Sequence, residues 1–248
     1  MLIVYKRACT LTAERNSFMC QSKTGLSSPM QRVNLIFFFL TWAGGIIFAI
    51  QRGLETKIPA SLCFLLLGCI NTFYHLKHNR KRLGFAWAML AGLFFGFLAD
   101  IVLQIDFLGG AAIFALGHVC YVASYCCLLR KERRDCLTCA AIILPVLALV
   151  LFLPVLDFGT TFMQAIVMVY AVIISIMTGK AFSNYRRSPS PLTKCLLIGS
   201  ILFFFSDFML LFAYFTDIGR IANILCLITY YPGQAILASS IYHHSKTL

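Results

Sequence analysis

Residues 83–104 read LGFAWAMLAGLFFGFLADIVLQ, 22 residues in which the only ionisable side chain is Asp100. A helix of about 20 residues, rising ~1.5 Å per residue, crosses the roughly 30 Å hydrocarbon core of a bilayer. The stretch therefore predicts a transmembrane helix that carries one acid. Seven further apolar blocks of similar length lie at residues 33–51, 58–76, 108–129, 136–156, 160–182, 192–214 and 219–242. With 60% hydrophobic and 12% charged residues over 248 positions, and a mean hydropathy of +0.85, the chain is too apolar for one soluble core. The expected fold is all-α: a polytopic bundle of eight transmembrane helices over residues 33–242. A cytoplasmic N-terminal tail over 1–32 and a cytoplasmic tail over 243–248 complete the expected division.

The links between blocks are a few residues long, which forces antiparallel neighbours. Pro59 near a helix start, Gly109-Gly110, Asp157 to Gly159 and the Ser188-Pro189-Ser190-Pro191 break agree with those boundaries. Lys and Arg accumulate in short cytoplasmic loops, so their distribution sets orientation. One side collects eighteen basic residues and the other only Arg52, Lys57 and Arg220, which predicts both termini inside. The asymmetry accounts for the formal charge of +12 without nucleic acid and brings anionic lipid headgroups to the basic loops. The 11 cysteines are odd in number and mostly within apolar runs, so no disulfide framework is read. Residues 1–32 lack the apolar core of a secretory signal; an upstream start ahead of Met30 and a disordered tail are equal readings.

Gly92 to Leu103 and Gly199 to Leu210 resemble each other, each with Gly eight positions before Asp. Four helices separate them, so they suggest a parallel repeat of two four-helix halves, although a composition rich in Phe and Leu generates such matches by itself.

Of nine carboxylates, only Asp100 and Asp207 are enclosed by apolar sequence on both sides. An ionised Asp near mid-bilayer costs ~2.5–3.5 kcal/mol on insertion scales, so it is expected to face the bundle interior and to serve function. The bland alternative is a pair of acids that hydrogen-bond neighbouring helices and fix packing. Counting positions along the spans brings His118, Tyr121, Tyr230, Tyr231 and Gln234 to a similar depth, from four helices in all. Pro232-Gly233 is expected to kink the eighth helix beside them. Asn71, Tyr74, His75 and His78 read as interfacial anchors, and His243-His244 as tail residues. Cys136 and Cys139 have the spacing of half a zinc site with no second half, so neither a metal nor another cofactor is expected. No G-x-S-x-G elbow, H-E-x-x-H helix or P-loop occurs.

These residues give the chain a resemblance to the lysoplasmalogenase family, the YhhN-like membrane proteins. The motifs that carry it are Phe97 to Leu103 around Asp100, Gly117-His118 to Tyr121, Phe205-Ser206-Asp207 and Thr229-Tyr230-Tyr231-Pro232-Gly233-Gln234. They occur in the family's order, and the resemblance covers residues 33 to about 242. Two departures touch the backbone beside the site: Ala99 where the family commonly has Gly, and the Pro232-Gly233 pair before the glutamine.

The resemblance implies hydrolysis of the vinyl ether bond of lysoplasmalogens, releasing a fatty aldehyde and a glycerophospho-alcohol, with Asp100 and Asp207 as catalytic residues. His118, Tyr121, Ser206, Tyr230, Tyr231 and Gln234 would bind substrate or water. The implied partner is a lysophospholipid in the membrane, which in a bacterium is the plasma (inner) membrane. Enol ether cleavage needs a neutral acid, a base for water and negative charge near an oxocarbenium ion, tasks that two carboxylates in unlike surroundings divide. Asp207, the deeper, is the expected acid and Asp100 the base or cation stabiliser. The alternative is a transporter or a proton or cation relay built on the same acids. The apolar inward halves of the third and seventh spans speak against it.

Overall fold

The computed structural model describes residues 28–79 and 83–246. All regular structure among them is helical: α1 (Pro29–Gln51), α2 (Leu54–His78), α3 (Leu83–Val102), α4 (Phe107–Leu128), α5 (Arg133–Phe152), α6 (Thr161–Arg187), α7 (Pro191–Phe215) and α8 (Gly219–Lys246). Each of the eight is long and apolar enough to span a membrane, as expected. The described residues from Asn34 to Lys246 form one compact unit, and the start of α1, up to Val33, belongs to another. The rest of the expected tail, residues 1–27, lies outside the described residues.

Local chemistry sets most of the boundaries. The carboxylate of Asp106 caps α4 by accepting the Gly109 N–H (2.6 Å), and the Thr160 hydroxyl caps α6 by accepting the Met163 N–H (3.2 Å). The Ser190 hydroxyl accepts the Thr193 N–H, and Pro191 occupies the first position of α7, where its missing N–H costs nothing.

Six helices close a cycle. α2 packs on α3, α3 on α4, α4 on α6, α6 on α7, α7 on α8, and α8 back on α2, with α3 also touching α8. α5 leans on α6 from outside the cycle. Burial follows this order: 67% of the apolar stretch of α8 is buried against 11% of that of α5, so α8 organises the interior and α5 faces outward. α1 meets α2 and α8 through small residues. A Cβ on Gly45 would clash with the edge of the Tyr231 ring at 2.2 Å, and one on Gly44 would lie 2.8 Å from that of Ala60.

The structure corrects several boundary readings. α2 begins at Leu54 rather than Ile58, so Lys57 is a buried helical residue and not part of a loop. Pro59 stands in the second turn of α2, one turn later than a helix-start proline would. α6 runs to Arg187 rather than to residue 182, and the ammonium of Lys180 within it is buried and bonds Asp135 at 2.6 Å. Asn71 and His75 are fully buried and not interfacial: the Asn71 amide donates to the Ala238 carbonyl (3.1 Å) and exchanges hydrogen bonds with Asn34. α8 continues to Lys246, past the expected tail boundary, and His244 is buried with its ring 4.4 Å from that of Phe85. Pro232-Gly233 lies within an unbroken α8.

Candidate active site

Asp100 lies two residues before the end of α3 and is 3% exposed. Its Oδ2 accepts the Ser61 hydroxyl (2.5 Å) and the Tyr230 hydroxyl (2.8 Å), while Lys57 Nζ sits 3.4 Å from Oδ1. Lys57 and Ser61 are four residues apart on α2 and so share the face turned to α3. The Lys57 ammonium also lies over the Phe48 ring, 5.2 Å from its centroid. A second layer fixes Tyr230. The Gln234 amide donates to the Tyr230 oxygen (3.2 Å), and the Tyr121 hydroxyl donates to Gln234 Oε1 (2.7 Å). Tyr121 reaches that position by lying across α3 at Gly92, where any Cβ would overlap its ring.

Asp207, in the seventh helix, keeps different company. Tyr170 of α6 donates its hydroxyl to Oδ2 (2.6 Å), and His118 Nε2 of α4 lies 3.0 Å from the same oxygen and 2.9 Å from the Tyr170 hydroxyl. Oδ1 has no hydrogen-bond partner among the described residues. His118 Nδ1 is likewise buried without one, which favours the tautomer with the proton on Nε2, since a bare lone pair is cheaper to bury than a bare N–H. Phe203 stands between the two clusters, edge-on to the His118 ring (4.6 Å) and to the Tyr230 ring (5.2 Å).

Both aspartates line one cavity of about 340 Å³. Ser206 and Tyr230 line it too, with Phe114, Leu210 and Leu227 as apolar wall and Arg52, Gln104, Arg220 and Asn223 as further polar groups. A smaller apolar cleft of about 50 Å³ between α5, α6 and α7 reaches Asp207 and Tyr170. Of the eight residues singled out from the sequence, Asp100, Asp207, Ser206 and Tyr230 line the main cavity. His118 acts on it through Asp207, and Tyr121 and Gln234 through Tyr230. Tyr231 does not line it but packs against Gly45, its ring 5.0 Å from that of Tyr230.

Sequence reasoning missed Lys57, Ser61 and Tyr170. The signal for the first two was the i, i+4 spacing of a cation and a hydroxyl ahead of an apolar run. For Tyr170 it was one tyrosine midway along an apolar span. Sequence reasoning also made the other end of the bundle too dry. There Asp135, buried at the start of α5, holds the Lys180 ammonium and the Ser183 hydroxyl, and the Asn184 amide donates to the Tyr125 carbonyl (3.0 Å). These groups close on one another and line no part of the aspartate cavity.

A model of the YhhN family matches residues 54–241, which include every residue named in the two aspartate clusters except Phe48. No curated protein and no solved structure gives a significant match.

Proposed function

The chain belongs to the YhhN family, and on that premise we propose that it is a membrane-embedded ether hydrolase that cleaves the vinyl ether of lysoplasmalogens to a fatty aldehyde and a glycerophospho-alcohol. The family is associated with hydrolase activity. One observation carries the reading: two intramembrane aspartates in unlike surroundings line the same cavity.

An enol ether is hydrolysed by adding a proton to the carbon distal to oxygen. The positive charge then spreads onto the adjacent carbon and the ether oxygen. Water adds at that carbon, loses a proton, and the hemiacetal expels the glycerol oxygen as an alcohol, leaving the aldehyde. The proton donor is Asp207. Its neighbours are an imidazole and a phenol rather than a cation, and its Oδ1 carries no partner among the described residues, so a proton there is free to meet substrate. Asp100 takes the complementary part. The Lys57 ammonium and two hydroxyls donate to it, a set that suits an ionised carboxylate able to stabilise the oxocarbenium ion and accept a proton from the attacking water. Phe114, Leu210 and Leu227 supply apolar wall beside the carboxylates, which strengthens the electrostatics at the reacting carbons.

The relay or transporter alternative needs polar groups that continue through the bundle. At the far end Asp135, Lys180 and Ser183 bond one another and line no part of the cavity, which favours a cavity with one polar end. In a bacterium the reaction would take place at the plasma (inner) membrane.

The test is aldehyde release by the purified protein, given a lysoplasmenylethanolamine and, in parallel, its 1-O-alkyl analogue with a saturated ether. Aldehyde from the alkenyl lipid alone is the expected result. Absence of aldehyde from both, with protein that melts cooperatively, sinks the reading.

A further inference from the structure

Three basic residues, Arg52, Lys57 and Arg220, fall on the side of the chain that is otherwise poor in positive charge, and all three line the aspartate cavity. Lys57 is committed to Asp100. The other two are not: among the described residues neither Arg52 nor Arg220 forms an ion pair with a carboxylate, and both side chains are exposed.

The position of Arg52 has a conformational cost. It is the one described non-glycine residue with positive φ (56°), held by its N–H bond to the Phe48 carbonyl (2.8 Å) at the end of α1. That left-handed capping position is usually filled by glycine. Here the glycine follows one residue later, at Gly53, and an arginine takes the strained place, an outlier of the kind that concentrates at ligand sites. Arg220 is in the first turn of α8, with Gly219 before it and Asn223 one turn on, and all three line the cavity. A first helical turn presents N–H groups without intrahelical acceptors and the positive end of the helix dipole.

We propose that Arg52, Arg220 and the first turn of α8 form a phosphate-binding subsite at the exposed end of the aspartate cavity, which holds the phosphodiester of a single-chain glycerophospholipid. The proposal rests on the hydrolase reading for the identity of the lipid, but the subsite itself is defined by binding. Guanidinium groups suit this task because their forked donors match phosphate oxygens two at a time. With the phosphate anchored there, the glycerol lies between the arginines and the carboxylates, and the first carbons of the chain reach Asp207 beside the apolar wall.

The experiment uses the full-length protein in neutral detergent and a saturated 1-O-alkyl-glycerophosphoethanolamine, which has no vinyl ether to cleave. Its equilibrium binding is compared with that of the matching 1-O-alkylglycerol, which lacks the phosphate. Wild type is expected to prefer the phosphorylated lipid by about tenfold or more, the scale of one or two charge-assisted contacts. The Arg52→Gln/Arg220→Gln variant should lose that preference while still binding the alkylglycerol, which also reports that it is folded. Arg52→Lys/Arg220→Lys should keep part of it, and Asp207→Asn should keep all of it. Equal affinity of wild type for the two lipids, or a preference unchanged in the double Gln variant, overturns the subsite. A third arm adds millimolar inorganic phosphate. Bound lipid that resists it supports the lipid phosphodiester as the ligand, and full displacement assigns the arginines to free phosphate and overturns the headgroup assignment. Because nothing is hydrolysed, failed aldehyde release and failed phosphate recognition are read separately.

Discussion

Asp100 and Asp207 start from nearly the same sequence, each eight residues after a glycine in a helix of Phe, Leu and Ile, and finish in different electrostatic company. Asp100 is closed in by a lysine and two hydroxyls from α2 and α8, so its charge is matched inside the protein. Asp207 meets an imidazole and a phenol from α4 and α6, through one oxygen only, and no lysine or arginine pairs with it among the described residues. The same residue type thus has a cation beside it at one site and only an imidazole and a phenol at the other. The difference comes from the neighbouring helices, because each aspartate's own helix supplies none of its partners.

The largest effects are expected at the carboxylates themselves. Asp207→Asn and Asp100→Asn should each slow aldehyde release by about 10²–10⁴-fold, the range of a lost general acid or base, measured at saturating lipid. Wild-type rates in either variant would erase the division of labour. Stability then separates the two sites. Lys57→Met leaves the Asp100 carboxylate buried without its cation, at a cost of about 3–5 kcal/mol, visible as a lowered melting temperature in detergent. Adding Asp100→Asn to Lys57→Met should recover much of that loss, a coupling that additive effects cannot produce. Asp207→Asn removes no counter-charge and should stay within about 1 kcal/mol of wild type in the same assay.

Smaller effects sharpen the picture at the hydroxyls. Tyr170→Phe removes the donor at 2.6 Å from Asp207 and leaves His118 as its remaining protein partner, so the rate should fall by roughly tenfold, in line with one hydrogen bond to a catalytic group. Tyr230→Phe should cost less, about 1 kcal/mol in stability, because Ser61 and Lys57 still serve Asp100. A larger rate effect for Tyr230→Phe than for Tyr170→Phe would reverse the assignment of the two sites.

The eight helices were legible because hydropathy over 20 residues is a property of composition, insensitive to packing. The acids were legible for the same reason, being conspicuous in apolar runs. Their partners were not. Lys57 lies one residue before the expected start of its span, where a basic residue reads as part of a loop, and Pro59 reinforced that boundary although a proline is tolerated in an early turn. Lys180 and Asp135 were hidden likewise, each close to a span end and buried only because α5 leans on α6 there. Tyr121 and Gln234 were found by depth, but depth did not reveal that they brace Tyr230 while the cavity lies on its other side. Which residue faces which is decided by the closed cycle of helices, and no single span encodes that cycle.

Protonation of the vinyl ether carbon by an acid in this cavity is read out by running the purified protein on a lysoplasmenyl lipid in D₂O and trapping the aldehyde at once by reduction. One solvent deuterium is expected on the carbon next to the former aldehyde carbon, with product formation collapsing in Asp207→Asn. Aldehyde formed without that label, or formed equally fast by Asp207→Asn, would contradict it.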